Sequence, residues 1–286
     1  MNKYKKLKDE KLVEYLKNCK YAIIGLENLN SEIIDQLPNL EAVAKYGVGL
    51  DKIDLKYLKK KKIKFFHFKG FNRRSVSELV IGFIINSLRN LNYLNYNIKI
   101  KNNWEGLAGE NLSQKTIGII GCGNIGQDLI KLLTPFNLKI LVNDLKYNKK
   151  ILNKANIYKC SKKIIFEKSD IISLHLPLDK KVTLDKQNLN IINKNYLKKL
   201  KKKSILINTS RGGIVNEDDL YAFLKKNKAS KAYFDVLATE PPKKNNKLFK
   251  LDNFFISSHI GGSTRQVISE GARLCVNALV KFRGLK

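Results

Sequence analysis

The sequence has few of the residues that build disulfide-rich, membrane or metal-binding proteins. Its four cysteines lie far apart and form no CxxC pair, which excludes a disulfide framework and a zinc site and favours a reducing compartment. The longest apolar run, Leu79 to Ile85, has seven residues, whereas a transmembrane helix needs about 18. Three histidines are present, and no cluster of His, Asp and Glu has metal-ligand spacing. We therefore expect a cytoplasmic protein that binds no metal.

Acidic residues are also scarce: 25 Asp and Glu face 55 Lys and Arg, which gives a net charge of +30. Such an excess is compatible with nucleic-acid binding, because lysines that neutralise phosphates release counterions. The lysines, however, occur in short runs along the whole chain, for example at 59–62, 198–203, 225–226 and 243–244. No basic stripe with interleaved aromatic residues stands out. The composition favours solvated lysine-rich surfaces over a nucleic-acid or membrane partner.

Short apolar runs alternate with longer amphipathic stretches, a pattern typical of βα units and a parallel sheet. Three runs predict strands early in the chain, at Tyr21–Gly25, Leu40–Lys45 and Ile63–Phe68. The pattern restarts after Trp104, which we expect to pack where two domains meet. Six further runs predict a doubly wound sheet, and they are Thr116–Ile120, Lys139–Val142, Ile171–Leu174, Ser204–Asn208, Ala232–Asp235 and Phe254–Ser257.

Two helical patterns connect or follow these strands. One runs from about Val76 to about Ile100, and its entry, Ser75-Val76-Ser77-Glu78, predicts a capping box between Ser75 and Glu78. The other runs from about Thr264 to Phe282, and no strand follows it. We predict two α/β domains, one of residues 1–98 completed by 264–286, the other of residues 99–263.

A glycine-rich motif marks the start of the second domain. It follows the strand Ile117–Ile120 and opens a helix, and it reads Gly121-Cys122-Gly123-Asn124-Ile125-Gly126. Gly121 permits a tight turn, Gly123 lets a pyrophosphate approach the backbone, and Gly126 lets the helix pack closely. Asp144 ends the next strand, 18 residues after Gly126. Its carboxylate would accept hydrogen bonds from a ribose diol and repel a 2′-phosphate, so the motif predicts NAD rather than NADP.

Three chemically competent residues follow later strands of the same predicted sheet. Arg211 comes after the strand that ends at Asn208, Glu240 follows Phe234-Asp235-Val236, and His259 lies between Ser257-Ser258 and a Gly-Gly pair. In open α/β sheets the carboxyl ends of the strands line the ligand-binding crevice. The sequence therefore predicts an arginine, a glutamate and a histidine on one side of the sheet.

Together these motifs resemble the D-isomer-specific 2-hydroxyacid dehydrogenases, and the phosphoglycerate dehydrogenase branch is the most similar. The resemblance rests on GCGNIG with Asp144, NTSRGGIV, FDVLATEP and SSHIGGST, and it extends to KYGVGLD at 45–51 and RSVSEL at 74–79. It implies an NAD-dependent oxidoreductase and a homodimer. It also implies that 99–263 is an NAD-binding Rossmann domain and that 1–98 with 264–286 is a flavodoxin-like substrate domain.

The resemblance also implies roles for single residues. His259 would be the general acid–base, Glu240 would orient its ring, and Arg211 would bind the carboxylate of a small anionic 2-hydroxy or 2-oxo acid. Asp235 would hold the nicotinamide carboxamide. Further cofactor contacts are implied at Asn124, Ile125, Pro177, Thr209, Ser210 and Gly261. Substrate contacts are implied at Lys45, Gly47, Val48, Gly49 and Arg74.

The substrate is left open by two departures from the best-known phosphoglycerate dehydrogenases. The stretch Gly25–Leu29 lacks the arginine that those enzymes place near the substrate phosphate, and the chain stops at Lys286, so we expect no serine-binding regulatory domain. Our preferred substrate is 3-phosphoglycerate, used in serine biosynthesis, with its phosphate beside Arg73, Arg74 and the helix entry at Ser75. The alternatives are glyoxylate, hydroxypyruvate or another 2-oxo acid, and, in another class, an NAD-sensing corepressor.

Overall fold

The chain folds into two compact units in the computed structural model, which describes residues 7, 9–146, 156–178 and 188–284. One unit comprises Met1–Asn72 and Gly262–Lys286, and the other comprises Arg73–Gly261. The sequence placed the first boundary at 98–99, whereas the contacts place it at 72–73. The reason lies in the helix that begins at Arg73, because its side chains Val80, Ile84 and Leu88 are buried in the core of the second unit.

The first unit contains a three-stranded parallel sheet. Its strands β1 (Tyr21–Ile24), β2 (Ala42–Lys45) and β3 (Lys64–His67) lie in that order. Around them are α1 (Asp9–Leu16), α2 (Ser31–Asp35), α3 (Leu55–Lys60) and the C-terminal helix α10 (Arg265–Phe282), which packs on β2. The apolar residues of β2, Ala42 to Ala44, are fully buried, as expected of a parallel strand covered on both faces.

The second unit contains a seven-stranded parallel sheet in the order β10-β9-β8-β7-β4-β5-β6. The strands are β4 (Thr116–Ile120), β5 (Lys139–Asn143), β6 (Ile157–Lys159), β7 (Ile171–Leu174), β8 (Ile205–Asn208), β9 (Lys231–Phe234) and β10 (Phe254–Ile256). The helices are α4 (Arg73–Arg89), α5 (Leu91–Lys101), α6 (Asn124–Leu133), α7 (Lys162–Lys168), α8 (Lys194–Leu197) and α9 (Glu217–Lys226). This is the predicted doubly wound Rossmann-type sheet, with β6 as an additional edge strand that the sequence did not predict.

The prediction of one long helix from Val76 to Ile100 is wrong in two respects. The chain breaks it at Asn90, which has φ +54°, a left-handed conformation that asparagine tolerates better than most residues. The Nζ of Lys231 donates to the carbonyl oxygen of Ser87 and to Oδ1 of Asn90, which satisfies the end of α4. The predicted capping box is also absent, because α4 begins at Arg73 and the buried Ser75 hydroxyl donates to the carbonyl oxygen of Gly261 at 2.6 Å.

Trp104 was predicted to be packed between the domains, but 87% of its surface is exposed. No helix in the described ranges is both long and apolar enough to cross a bilayer. Among the same residues, no group of three His, Cys, Asp or Glu side chains is arranged to hold a metal ion.

Candidate active site

The second unit gathers most of the predicted site residues at one edge of its sheet. The strand order reverses between β4 and β7, since β5 lies on one side of β4 and β7 on the other. Ligands of open parallel sheets bind in the crevice outside the strand ends at such a switch point. The loops that follow β4, β7, β8, β9 and β10 carry Gly121, Pro177, Thr209, Asp235 and His259, respectively.

The loop between β4 and α6 has the backbone geometry of a phosphate-binding turn. Gly121 has φ +98°, and a Cβ there would lie 2.4 Å from the carbonyl oxygen of His175. A Cβ on Gly126 would lie 2.2 Å from the carbonyl oxygen of Gly121. A side chain at either position would therefore clash with the backbone, so both positions require glycine. At Gly123, by contrast, nothing lies within 4 Å of a Cβ. The loop is therefore closed on one side and open on the other, where a phosphate can approach the helix N-terminus.

Asp144 follows β5 and lies against this loop. One carboxylate oxygen accepts the backbone N–H of Cys122, and the other accepts the backbone N–H of Lys146 at 3.0 Å. Asn124 and Ile125 are the first two residues of α6. A ribose next to a pyrophosphate on the loop would come close to this carboxylate. The glycine turn, the helix N-terminus and the acidic side chain thus fit an NAD molecule.

Two buried polar atoms beside the crevice support the same fit. Oγ1 of Thr209, after β8, and Nδ1 of His175, after β7, are buried and have no hydrogen-bond partner within the protein. Unsatisfied buried polar atoms are costly, so a polar ligand in the crevice would stabilise both. The neighbouring Ser210 is satisfied internally, because its hydroxyl donates to Asn208 at 2.7 Å. Pro177 is exposed after β7, and its carbonyl oxygen accepts a hydrogen bond from Asn188.

Neither His175 nor Cys122 is poised for chemistry. Burial lowers the pKa of His175 to about 4, so its ring is neutral near pH 7. Burial, with a contribution from the Asp144 charge, raises the pKa of the Cys122 thiol to about 11. Because the thiolate is the nucleophile, the Cys122 thiol is not activated near pH 7.

His259 and Glu240 form a hydrogen-bonded pair after β10 and β9. Nδ1 of His259 lies 2.7 Å from Oε2 of Glu240, and Oε1 of Glu240 accepts the backbone N–H of Leu237 at 2.9 Å. The backbone of His259 has φ +56°. Left-handed conformations of residues other than glycine store strain and cluster at functional sites. The pair leaves Nε2 of His259 as the ring atom that can exchange a proton with a ligand.

Asp235 holds the turn that carries His259. Its carboxylate accepts the N–H groups of Ile260 and Gly261, both at 2.8 Å, and the hydroxyl of Ser257. Its carbonyl oxygen also accepts the N–H of His259 at 2.9 Å. Asp235 is 1% exposed, so this anchoring role is prominent in the structure. The sequence predicted a nicotinamide contact for Asp235 but not these hydrogen bonds to the turn at 257–261. The signal that could have indicated them is that the motifs FDV and SHIGG end two successive predicted strands.

The three candidate catalytic side chains influence one another electrostatically. The hydrogen bond to Glu240 raises the pKa of His259 above its ordinary value, against the opposing effect of burial. Burial raises the pKa of Glu240, but hydrogen bonds from His259 and Leu237 outweigh it, so the pKa of Glu240 is lowered. The charge of Arg211 also acts on both groups. The structure therefore brings Arg211, Glu240 and His259 into one site. The lowered pKa of Glu240 favours an ionised carboxylate at Nδ1 of His259.

The backbone of Arg211 is fixed by its own loop. Asn208 Nδ2 donates to the carbonyl oxygen of Arg211 at 3.0 Å, and Nη1 of Arg211 donates to the carbonyl oxygen of Ser210 at 2.8 Å. A guanidinium presents its N–H donors in a planar fork, a geometry that matches a carboxylate.

In the first unit, the predicted substrate loop follows β2. Lys45 is 6% exposed, and its Nζ donates to the carbonyl oxygens of Gly25 at 2.6 Å and Tyr46 at 2.9 Å. Gly47 has φ +100°, and Nε2 of His67 lies 3.1 Å from the carbonyl oxygen of Val48. Lys45 is thus used to hold neighbouring loops, while the binding of a carboxylate by Gly47, Val48 and Gly49 stays a prediction.

Arg74 has a strong partner within the second unit. Its Nε and Nη2 donate to the two oxygens of Asp128 on α6, at 3.0 and 3.1 Å. The Asp128 side chain is 6% exposed, so the pair is partly desolvated and charge-assisted. This contact, between residues 54 positions apart, was not foreseen when Arg74 was predicted to bind a substrate phosphate.

Comparisons with known proteins agree with this geometry. Residues 81–261 match the family description "D-isomer specific 2-hydroxyacid dehydrogenase, NAD binding domain". The chain is 35% identical to hydroxypyruvate reductase of Thermotoga maritima over 242 residues, which are 83% of this chain and 76% of that protein. It is 30% identical to D-3-phosphoglycerate dehydrogenase of Archaeoglobus fulgidus over 240 residues, 83% of this chain but 44% of that protein.

The structural similarity extends over both units. The D-lactate dehydrogenase of Aquifex aeolicus, solved with NAD and lactic acid, has a TM-score of 0.83 to this chain at 26% identity. The match covers 95% of this chain and 85% of that one.

Proposed function

Because the chain belongs to the D-isomer-specific 2-hydroxyacid dehydrogenases, as its motifs predicted, we propose that it reduces a small 2-oxo acid such as hydroxypyruvate or glyoxylate. It is an NAD-dependent oxidoreductase. The observation that carries our choice of substrate is the bidentate ion pair between Arg74 and Asp128. This ion pair occupies Arg74, the side chain that the sequence analysis assigned to a substrate phosphate.

In the proposed mechanism, bound NAD would carry the hydride, while the protein would supply a proton and bind the substrate carboxylate. During reduction, protonated His259 would donate its Nε2 proton to the carbonyl oxygen that becomes the hydroxyl. During oxidation, the neutral ring would take that proton back. Glu240 fixes the ring through Nδ1 and stabilises its charged form. Arg211 would bind the substrate carboxylate through its planar fork and polarise the adjacent carbonyl.

Two of the cations predicted near the substrate are engaged within the protein. Arg74 binds Asp128, and the buried Nζ of Lys45 donates to two backbone carbonyls. The stretch Gly25–Leu29 contains Glu27 and no basic residue. A tail phosphate would have to displace such contacts, and breaking a partly buried charge pair is costly. A short, uncharged tail therefore suits the chain better than 3-phosphoglycerate, which reverses the preference drawn from the sequence.

A substrate panel tests this choice. With NADH, we expect kcat/KM for hydroxypyruvate and glyoxylate to exceed that for 3-phosphohydroxypyruvate by at least about 10-fold, which corresponds to about 1.4 kcal/mol. The Arg74→Gln variant serves as the control and should change this ratio little. A preference for the phosphorylated acid that disappears in Arg74→Gln would restore the phosphoglycerate alternative. An NAD-sensing corepressor would turn over no 2-oxo acid in the panel, and an aligned Glu–His pair would give it no advantage.

The coenzyme preference has its own test at Asp144. We expect the protein to use NADH in preference to NADPH, because the carboxylate would face a 2′-phosphate. Asp144→Ser should narrow that preference by about 10-fold, mainly through a lower KM for NADPH, since about 1.4 kcal/mol of repulsion is removed. Steady-state kinetics with both coenzymes would measure it. Equal kcat/KM for the two coenzymes in the unmodified protein would show that Asp144 does not face the ribose.

We also propose a cytoplasmic homodimer. The four cysteines are free thiols, as expected in a reducing compartment. We propose that exposed apolar side chains on α5 and the segment after it form the interface, in which Trp104 and Glu105 would meet the cavity beside Lys228 of a second copy. The exposed side chains are Leu91, Tyr93, Tyr96, Ile98, Ile100, Trp104 and Leu107, and the cavity is lined by Tyr93, Lys228, Tyr233 and Phe255 among others. Analytical ultracentrifugation should give a mass of twice 32.8 kDa. A mass equal to that of one chain would refute the proposed dimer.

A further inference from the structure

Glu217 is a half-buried carboxylate beside the proposed acid–base pair, and the mechanism above does not use it. It is the first residue of α9, directly after the N-cap Asn216. One of its oxygens accepts the backbone N–H of Ala238 at 2.6 Å. Ala238 belongs to the turn that leads from β9 to Glu240. The side chain of Glu217 therefore reaches from a helix to the loop that presents Glu240.

This turn is held by two carboxylates on consecutive peptide groups. The N–H of Leu237 donates to Oε1 of Glu240, and the N–H of Ala238 donates to Glu217. The turn also lies closely on Gly212, where a Cβ would be 1.8 Å from the carbonyl oxygen of Leu237. Since the second oxygen of Glu240 contacts His259, an unbroken series of contacts runs from α9 through the turn to the imidazole.

The placement of Glu217 is not explained by the stability of α9. Burial raises the pKa of Glu217, and the charges of Asp218 and Glu240 add to this, whereas the hydrogen bond from Ala238 opposes it; the balance disfavours the ionised form. Asp218 and Asp219 already provide acidic residues in the first turn of the helix, where they interact favourably with its dipole. Ala238 is exposed, and water would satisfy its N–H without a carboxylate.

The charges that act on His259 indicate how Glu217 would work. The largest effect on the pKa of His259 is its hydrogen bond with Glu240, and the charges of Glu240, Asp235 and Arg211 also contribute. Glu217, whose own pKa is raised in part by the charge of Glu240, binds the same turn as Glu240, at the N–H of the next residue. Its influence on the imidazole therefore passes through the position of Glu240.

We propose that Glu217 is a positioning residue: by holding the N–H of Ala238, it keeps the carboxylate of Glu240 on Nδ1 of His259. This inference rests on the proposed acid–base role of His259. In this proposal the length of the Glu217 side chain matters and its charge does not, and two conservative variants distinguish these two properties. Glu217→Gln keeps the length and an acceptor oxygen but loses the charge. Glu217→Asp keeps the charge but is one methylene too short to reach the turn.

The first measurement is an NMR titration of the histidine rings, which needs no bound coenzyme. The chain has three histidines, and burial lowers the pKa of His67 and His175, so His259 titrates apart from them. A close carboxylate shifts a histidine pKa by about 1–3 units, and we expect Glu217→Asp to lose at least about 0.5 unit of the His259 shift. Glu217→Gln should remain within about 0.2 unit of the unmodified protein, a small part of that range.

The second measurement is the pH dependence of kcat/KM for reduction. Reduction needs protonated His259, so activity is lost as pH rises through its pKa. Glu217→Asp should move this basic limb to lower pH by the same 0.5 unit, about a threefold loss on the limb, and Glu217→Gln should not. Asp218→Asn is the matched control, because it removes an exposed charge from the next position of α9 and should leave the limb in place.

Combination with Glu240→Gln separates the possible failures. If Glu217 acts through Glu240, Glu217→Asp should move the limb no further in the Glu240→Gln background. A limb that moves in Glu240→Gln but not in Glu217→Asp would overturn the role of Glu217 alone. A shift in Glu217→Gln with none in Glu217→Asp would mean that charge, not reach, matters, and would also overturn it. No shift in Glu240→Gln itself would instead refute the proposed acid–base pair.

Discussion

Replacement of His259 by alanine is expected to lower kcat for the reduction of 2-oxo acids by at least about 100-fold, the usual contribution of a positioned acid–base group. Such a loss corresponds to about 2.7 kcal/mol of transition-state stabilisation. The structure supplies the reason, because the ring is fixed at Nδ1 by Glu240 and at its backbone by Asp235. Alanine would keep the backbone hydrogen bond to Asp235 but would remove the ring, and with it the contact to Glu240 and the proton donor.

The control for His259→Ala is coenzyme binding. The glycine loop and Asp144 follow β4 and β5, which at least three strands separate from β10 in the sheet. The Kd for NADH, measured by fluorescence titration, should therefore stay within about twofold of the unmodified protein, which is about 0.4 kcal/mol. Intact binding would show that the variant is folded. Turnover close to that of the unmodified protein would mean that the proton comes from another group.

The strands of this fold could be predicted because each is a short, almost fully buried apolar run. The predicted bounds Thr116–Ile120 and Ile171–Leu174 coincide with those of β4 and β7. Parallel strands covered on both faces need apolar residues at nearly every position, so the local sequence carries the signal. The edge strand β6 was missed because Ile157 is its one buried residue, while Tyr158 and Lys159 are exposed.

The features that sequence reasoning missed depend on partners far away in the chain. Ser75 looks like a helix cap, but its hydroxyl bonds Gly261, 186 residues away. Arg74 looks like a free cation next to a helix entry, but Asp128 binds it. Local patterns specify helix ends and turns only when no tertiary contact competes for the same side chain.

The candidate site shows the same division. The positions of Arg211, Glu240 and His259 at strand ends could be predicted, since parallel strands end at one edge of the sheet. The support behind them could not be read from the sequence. Asp235 accepts three hydrogen bonds from the turn at 257–261, and Glu217 holds the turn before Glu240. These contacts join segments whose approach is decided by the packing of the whole sheet.

Arg211→Lys is expected to raise KM for the 2-oxo acid by about 10- to 100-fold, because a bidentate, charge-assisted contact worth about 1.5–3 kcal/mol is replaced by a point charge. Nη1 of Arg211 already donates to the carbonyl oxygen of Ser210, and this bond holds one nitrogen of the guanidinium in place. A lysine ammonium that keeps this bond has no second, coplanar donor for a carboxylate. The effect should therefore appear although the net charge is unchanged.

Initial-rate kinetics at saturating NADH would measure this effect, with Arg273→Lys as the matched control. Arg273 is exposed on α10 and pairs with Glu270 on the same helix, so its replacement should leave KM unchanged. The KM for NADH should also be unchanged in Arg211→Lys, since the coenzyme contacts assigned above do not involve its guanidinium. If lysine served as well as arginine at position 211, the substrate carboxylate would have to be bound by other donors, and the clamp assigned to Arg211 would be wrong.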